Sequence, residues 1–488
     1  MSVLAIDCGT TGVTALVVSE DGRVVSRGYQ EFAQHFPQPG WVEHEPDEIW
    51  TAVLSSCRAA LRDQTVTAVG ITDQRETAVL WDRRTLQPPR RAIVWQDRRT
   101  TAICERLKEA GHEPRVAELT GLRLDPYFTA TKLAWLREHE PRTWEGVASG
   151  GTAVGTVDSY VVARLTAGAE HVTDAGNASR TLLFDLRTGD WSDELCELFG
   201  VPRACLPRIV PSYGEIARTD PTAFLGLDLP IAGIAGDQQA ALFGQGCYDE
   251  GRSKCTYGTG SFVLVNTGAT PVLSDRLLTT VAWMAPDGTL TYALEGAVFV
   301  TGAAVQWLRD GLQVIQSATE VESLAREVPD SGGVVFVPAL TGLGAPHWDP
   351  DARGTVLGIT RGTTRAHLAR ATLDAIAFEV RDVVDAMTTE AGCEVPSLQV
   401  DGGASANDLL CQLQADQLGV AVQRPEVLET TALGAAFLAG LGTGVWSSAA
   451  EVADTWRLDR RFEPRAGVRD DGTHARWLDA VERSRAWA

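Results

Sequence analysis

Two stretches of this chain, half its length apart, are built the same way, and together they limit the folds it can adopt. Val3 to Asp7 is a short apolar run that ends in Cys8-Gly9-Thr10-Thr11-Gly12, after which Val13 to Ser19 alternates back. Ser253 to Thr267 reads S-K-C-T-Y-G-T-G-S-F-V-L-V-N-T, again a strand, a Gly-Thr turn and a returning strand. Small residues at such a bend make a tight hairpin. They also leave main-chain N–H groups and hydroxyls facing one concavity, which suits an anion. One such turn is a weak signal. A matched pair predicts a duplicated domain, with the two turns facing each other across a cleft and a boundary near residue 245.

Length agrees, because 488 residues exceed what one hydrophobic core usually serves. The balance of 44% hydrophobic and 22% charged residues is that of a soluble globular protein. A net charge of −21 with no basic stripe argues against nucleic acid as a partner. No apolar run approaches a membrane span, and M-S-V-L-A-I-D has no basic n-region or cleavage site, so the expected location is cytoplasmic, without membrane insertion. The nine cysteines are scattered, without a C-x-x-C or a Cys/His cluster for zinc, and are expected as reduced thiols. The three lysines, Lys108, Lys132 and Lys254, lie outside any G-x-x-x-x-G-K-[ST] pattern. Phosphate, if handled, must be held by backbone amides, hydroxyls, arginine and a metal ion.

Pro230 to Gly246 reads P-I-A-G-I-A-G-D-Q-Q-A-A-L-F-G-Q-G, a strand that breaks at Gly236 into a helix opening on Asp237. Two roles are open to that carboxylate. It could N-cap its helix, as Asp often does, or it could stand at the rim of a sheet where α/β proteins bind ligands. Asp7, at the end of the first strand, could hold magnesium through water, since hard cations prefer oxygen.

Other segments supply candidate ligand groups. Val66 to Thr72 is a strand leading to Asp73-Gln74-Arg75-Glu76-Thr77. Arg75 and Glu76 could be a solvated salt pair of little worth, or a donor fork and an acceptor aimed at a small polyhydroxylated ligand. Ala92 to Trp95 is another strand, and Trp95 is either core or ligand wall. An Asp-Pro turn presents Tyr127 ahead of a helix carrying Lys132. Gly151 to Leu165 reads as a glycine-rich turn and helix, and His171 to Phe184 as a loop running into a strand. The stretch up to Leu229 reads as surface connection with short helices. Ala297 to Ile315 is expected as a helix carrying Gly302 and Gln306. Asp401 to Asn407 is a glycine turn between a strand and a helix N-terminus, where backbone can approach a nucleotide. Thr430 to Leu441, rich in Ala and Gly, suits close helix packing or a hinge.

Taken together the motifs resemble those of the FGGY carbohydrate kinases, in the sugar kinase/actin/heat-shock-70 ATPase superfamily, and among them the members that phosphorylate glycerol. The most specific stretches are F-P-Q-P-G-W-V-E-H at 36–44, G-I-T-D-Q-R-E-T at 70–77, A-I-V-W-Q-D-R-R-T at 92–100, G-I-A-G-D-Q-Q-A-A-L-F-G-Q at 233–245 and Y-A-L-E-G-A-V-F at 292–299. The resemblance runs from Val3 to about Trp446. It implies an α/β protein of two duplicated ribonuclease H-like (actin-like ATPase) domains, 1–245 and 246–488, with the catalytic cleft between them. The implied reaction transfers a phosphoryl group from magnesium-ATP to glycerol, giving sn-glycerol 3-phosphate, or to another small polyol or ketose. Arg75, Glu76, Tyr127, Asp237 and Gln238 match glycerol-binding positions, and Trp95 and Phe262 match walls around the carbon chain. Asp237 matches the general base, aided by Arg75, and Asp7 matches the residue that places Mg2+. Thr10, Thr11 and Thr259 fall on the phosphate turns, while Gly302, Gln306, Gly403 and Asn407 match nucleotide contacts. The resemblance also implies a homo-oligomer, dimer or tetramer.

The chain departs from the family in two places. The usual opening D-Q-G-T-T-S-S-R has Cys8, Gly12, Val13 and Thr14 here in place of Gln, Ser, Ser and Arg, which removes a fixed charge near the nucleotide phosphates. Residues 219–230 lack the G-G-x-G-G-T loop that binds fructose 1,6-bisphosphate in some members, and no histidine occurs between His171 and His347 for the phosphotransferase system to modify. Neither regulation is expected.

Overall fold

The first three strands, β1 (Ser2–Cys8), β2 (Gly12–Ser19) and β3 (Val24–Glu31), form an antiparallel meander. The computed structural model in which they are seen describes residues 1–392, 394–470 and 472–487. β4 (Ala68–Asp73), β5 (Tyr213–Arg218) and β6 (Pro230–Gly236) complete a six-stranded sheet in the order β5-β6-β4-β1-β2-β3. β4 runs parallel to both β1 and β6, pairing Asp7 with Thr72 and Asp73 with Gly236. The carboxyl ends of β1, β4 and β6 therefore finish side by side, where parallel α/β sheets present their ligand sites.

The second half repeats this plan. β7 (Ser253–Tyr257), β8 (Ser261–Gly268), β9 (Leu278–Met284), β10 (Leu290–Val298), β11 (Ser397–Asp401), β12 (Ala421–Pro425) and β13 (Leu458–Phe462) lie in the order β9-β10-β8-β7-β11-β12-β13. Without the extra edge strand β9, each sheet is an antiparallel three-strand meander, two parallel strands and an antiparallel edge. The duplication expected from the paired hairpins is thus present in strand order and direction.

The helices that matter for the site are α1 (Pro46–Ala60), α2 (Thr129–His139), α3 (Val157–Leu165), α4 (Asp237–Gly244), α5 (Gly302–Asp310), α6 (Arg365–Ala391), α7 (Asp408–Leu418), α8 (Thr430–Thr443) and α9 (Thr473–Ser484). α1 begins with Pro46, carries Asp47 and Glu48 in its first turn and Arg58 in its last, which suits proline geometry and the helix dipole. Its Ile49, Val53, Cys57 and Ala60 are fully buried. That three- and four-residue spacing is the stripe a sheet-covering helix needs. The strand it covers, Val3 to Ile6, is buried on both faces, as expected of a strand sandwiched between helices.

α8 lies between β12 and β13 of the second sheet in sequence yet packs on the first sheet. A Cβ added at Gly70 of β4 would come within 2.0 Å of the Ala435 carbonyl oxygen, and one added at Gly434 within 1.8 Å of the Ala240 oxygen on α4. The Ala- and Gly-rich composition of α8 is therefore the condition for backbone contact with both β4 and α4.

Several expectations change. Residues 152–155 are a strand that pairs with Val79–Asp82, and α3 starts only afterwards. His171 to Phe184 holds a short strand (Val172–Asp174) and a helical turn (Ala175–Ala178) before its final strand. The supposed surface connection before Leu229 contains β5 and the strand Arg208–Val210. The helix expected from Ala297 starts at Gly302, because 297 and 298 belong to β10 and pair with β8. All four depend on pairing with a distant strand, which local pattern does not report. Eight cysteines are buried free thiols, and Cys393 lies outside the described residues.

Candidate active site

The turn after β4 brings Arg75 and Glu76 to the carboxyl edge of the first sheet. Both side chains are nearly inaccessible, at 2% and 1% exposed, so the solvated salt pair is ruled out. Glu76 adopts a positive φ of 62°, sparsely populated by non-glycine residues, and its carbonyl is held there by the Thr129 hydroxyl at 3.0 Å. Arg75 donates to both oxygens of Glu295, at 2.5 and 3.1 Å, and its Nε lies 3.1 Å from Asp237 Oδ1. The Tyr127 hydroxyl is 3.4 Å from Arg75 Nη2 and the Phe262 ring centre 5.9 Å from its Cζ. Trp95 meets Tyr127 edge to face at 5.6 Å, and its indole N–H donates to the Thr10 hydroxyl. The predicted substrate residues Arg75, Glu76, Trp95, Tyr127, Asp237 and Phe262 therefore form one connected group. Gln238 joins it through its backbone N–H, which donates to Asp237 Oδ1, while its side-chain Oε1 accepts from Lys254 Nζ at 2.5 Å.

Asp237 is not a cap. Gly236 occupies the N-cap position of α4, and the Asp237 carboxylate turns outward. A Cβ at Gly236 would meet Arg75 Cδ at 2.7 Å, so glycine lets the arginine lie across the strand end. Asp237 Oδ1 takes the Gln238 N–H at 2.7 Å and the Arg75 Nε. Oδ2 accepts no hydrogen bond among the described residues, and the side chain is 31% exposed. It is a carboxylate fixed on one oxygen and open on the other, at the head of a helix.

Two residues that sequence reasoning missed complete the network. Arg180 is fully buried, donates to Glu76 Oε1 at 2.7 Å and to Glu295 Oε1 at 2.9 Å, and so joins the two carboxylates. Burial would raise the Glu295 pKa, yet Arg180 and Arg75 together bring it down to about 2. For Arg75 burial acts to lower the pKa, and Glu295 and Glu76 outweigh it, keeping the guanidinium above its ordinary value. Glu295 had a signal in the sequence, since it is the one charge in the otherwise uncharged strand T-Y-A-L-E-G-A-V. Lys132 is also buried and donates to the carbonyls of Pro126 and Tyr127, which holds the Asp-Pro turn that presents Tyr127.

Both Gly-Thr turns leave donors unused. Among the described residues the amides of Gly9, Thr10 and Thr11 donate to no protein acceptor, whereas the carbonyls of Gly9 and Thr10 are taken by Gln74 and Gln34. Unpaired amides at a bend are the cradle an anion fits. Asp7 borders that turn. Burial and the nearby charge of Asp237 push its pKa up to about 7, an effect that a cation bound beside it would oppose. No group of three or more acidic, His or Cys side chains is arranged as a metal cage among the described residues. A single carboxylate supplemented by phosphate oxygens and water is the arrangement magnesium usually takes. Thr14 is the cross-strand partner of Asp7.

In the second half, Gly302 N–H donates to the Gly258 carbonyl, and Thr301 and Ala303 N–H to that of Thr259, so the start of α5 is fastened to the turn. Thr259 and Gly302 are thereby brought together, and Gln306 follows one helical turn later as an exposed side chain. Gly403 and Asn407 lie beyond β11, the parallel neighbour of β7. Asn407 caps α7 through a 2.9 Å bond from the Leu410 N–H, an additional role not foreseen. No hydrogen bond joins Gln306, Gly403 or Asn407 to Thr259 among the described residues.

Comparison with known proteins finds the same organisation. Residues 2–244 match the N-terminal domain of the FGGY family of carbohydrate kinases, and residues 253–443 its C-terminal domain. The chain is 56% identical to a glycerol kinase of Dechloromonas aromatica, across 100% of this chain and 98% of that protein. It is 50% identical to glycerol kinase 2 of Thermotoga maritima, across 99% of each. Among solved structures, a Plasmodium falciparum glycerol kinase with ADP has a TM-score of 0.91 at 33% identity, covering 99% of this chain and 98% of that one. A xylulose kinase of Lactobacillus acidophilus shares the fold, with a TM-score of 0.86 at 21% identity over 99% and 96% of the two chains.

Proposed function

The chain belongs to the FGGY family of carbohydrate kinases, and we propose that it phosphorylates glycerol at the expense of ATP, with Asp237 as the general base. The observation that carries the reading is the Asp237 carboxylate, held by Arg75 on one oxygen and open on the other, beside a turn of unpaired amides. A primary alcohol is a weak nucleophile, and a positioned carboxylate that accepts its proton removes the main obstacle to attack. Arg75, Glu76, Tyr127 and Gln238 supply donors and acceptors for the three hydroxyls, and Trp95 and Phe262 flank the carbon chain. Phosphoryl transfer otherwise depends on alignment and on neutralising charge. Thr10, Thr11 and Thr259, with the amides of their turns, hold the phosphates. Gly302, Gln306, Gly403 and Asn407 receive the nucleotide. Mg2+, placed by Asp7, would neutralise phosphate charge when bound. The halves 1–245 and 246–488 act as the two sides of the cleft.

A coupled assay for ADP release with magnesium-ATP tests this, comparing glycerol with erythritol, xylulose and dihydroxyacetone. Saturation at low glycerol with the larger substrates inert is the expected result. Turnover only with a longer polyol or ketose would keep the chemistry and reassign the pocket between Trp95 and Phe262.

A further inference from the structure

Lys254 is one of only three lysines in the chain, and its side chain is completely buried. It stands on β7, in the second half, and reaches to the first turn of α4, in the first half. Its Nζ donates to Gln238 Oε1 at 2.5 Å and to Thr256 Oγ1 at 2.8 Å. This is an expensive place for a cation. Burial disfavours the ammonium form, although the charges of Asp401, Asp237 and Glu295 oppose that effect, and the positive end of a helix repels it further. A side chain needed for packing alone would be better served here by an apolar residue of similar length. Lysine must therefore be doing something that only a donor can do.

The partner explains what that is. A glutamine amide has an oxygen at one end and an NH2 at the other, and an ammonium can only donate. Facing Lys254, Gln238 must turn its oxygen inward and leave Nε2 pointing away, and Nε2 donates to no protein acceptor among the described residues. We propose that Lys254 is a positioning residue for the acceptor alcohol, locking the Gln238 amide so that its NH2 faces the substrate. An alcohol both donates and accepts a hydrogen bond. The adjacent pair then offers both complements, with Asp237 accepting the hydroxyl proton and Gln238 donating to a hydroxyl oxygen. Because the lysine and the glutamine come from opposite halves of the molecule, this orientation is set only while the halves are apposed. The inference rests on the reading of Gln238 as a substrate contact and adds the residue that gives it direction.

The test is a double-mutant cycle on the full-length enzyme, with Lys254→Met, Gln238→Glu and the double variant, measuring KM for the alcohol and for ATP separately and the melting temperature of each. Gln238→Glu keeps an acceptor for Lys254 but removes the NH2. Each single change is expected to raise KM for glycerol roughly tenfold, the size of one hydrogen bond, with KM for ATP within about twofold. The double variant should be no worse than the poorer single, because both changes remove the same contact. An unchanged glycerol KM in Lys254→Met would overturn the proposal, as would multiplicative effects in the double variant, or a fall in kcat and both affinities that simply tracks the melting temperature. If Lys254→Met does not fold, Gln238→Glu decides alone, since a wild-type KM there means that Nε2 is not used. Wild-type enzyme that ignores glycerol but turns over another polyol would refute the substrate reading, and the same cycle run on that polyol still judges Lys254.

Discussion

A carboxylate serves as a base only if its orientation is fixed and one oxygen remains free. Asp237 meets both conditions because Gly236 takes the capping position and Arg75 holds Oδ1. Replacing it by Asn keeps the size and one oxygen but removes the acceptor that takes a proton. We expect Asp237→Asn to lower kcat by about 10²- to 10⁴-fold and to change the glycerol KM only a few fold, measured by ADP release at saturating magnesium-ATP. Near-normal kcat would remove Asp237 from the chemistry. At this scale the sequence was informative about which polar residues gather at the sheet edge and silent about their second partners. Arg75, Glu76 and Asp237 could be picked out at strand ends, whereas Arg180 lies in a polar stretch with nothing local to mark it. Its importance comes from two carboxylates 104 and 115 residues away in the chain.

At the scale of elements, the position of Asp237 depends on how closely α4 lies against α8. Alanine normally favours a helix over glycine by about 1 kcal/mol. At Gly434 the added Cβ would stand 1.8 Å from the Ala240 backbone oxygen, so the helices must separate. Gly434→Ala should therefore destabilise the protein by about 1–3 kcal/mol, the usual range for overpacking, and lower kcat because α4 carries Asp237, the proposed base. Chemical denaturation together with the kinetic assay checks both, and a stabilised, fully active variant would refute the contact. The sequence foretold the elements that repeat a strong local pattern, such as β1, β2, α1 and α8. It did not foretell β5 or the strand at 152–155, because polar or glycine-containing edge strands take their identity from the partner they pair with.

Across the whole molecule, the buried ion network joins the two sheets, since Arg75 follows β4 and Glu295 sits on β10. Removing one partner of a buried pair leaves the other charge unpaired, which costs about 3–5 kcal/mol. Glu295→Gln should lose stability of that order at neutral pH and lower activity by loosening Arg75. The pH dependence has a definite sign. The Glu295 pKa is depressed from 4.5 to about 2, so its stabilisation is full above the ordinary glutamate value and is lost as pH falls from about 4.5 to about 2. Acid unfolding followed by circular dichroism should be steep in that window for the wild type and shallower for Glu295→Gln. Equal slopes would show that the network does not govern acid stability.

By itself the sequence determined the two hairpins, the duplicated plan they imply, the apolar strands and the carboxylates at their ends. These follow from short-range rules, namely period-two alternation, glycine at tight bends and polar residues at strand termini. The tertiary structure alone decided that α8 crosses to the first sheet, that Asp237 is open rather than capping, and that Lys254, Arg180 and Glu295 surround the site. Those facts depend on which surfaces are buried against each other. The free energy of a buried charge or an unpaired donor is set by neighbours brought from far along the chain, and no local pattern contains them.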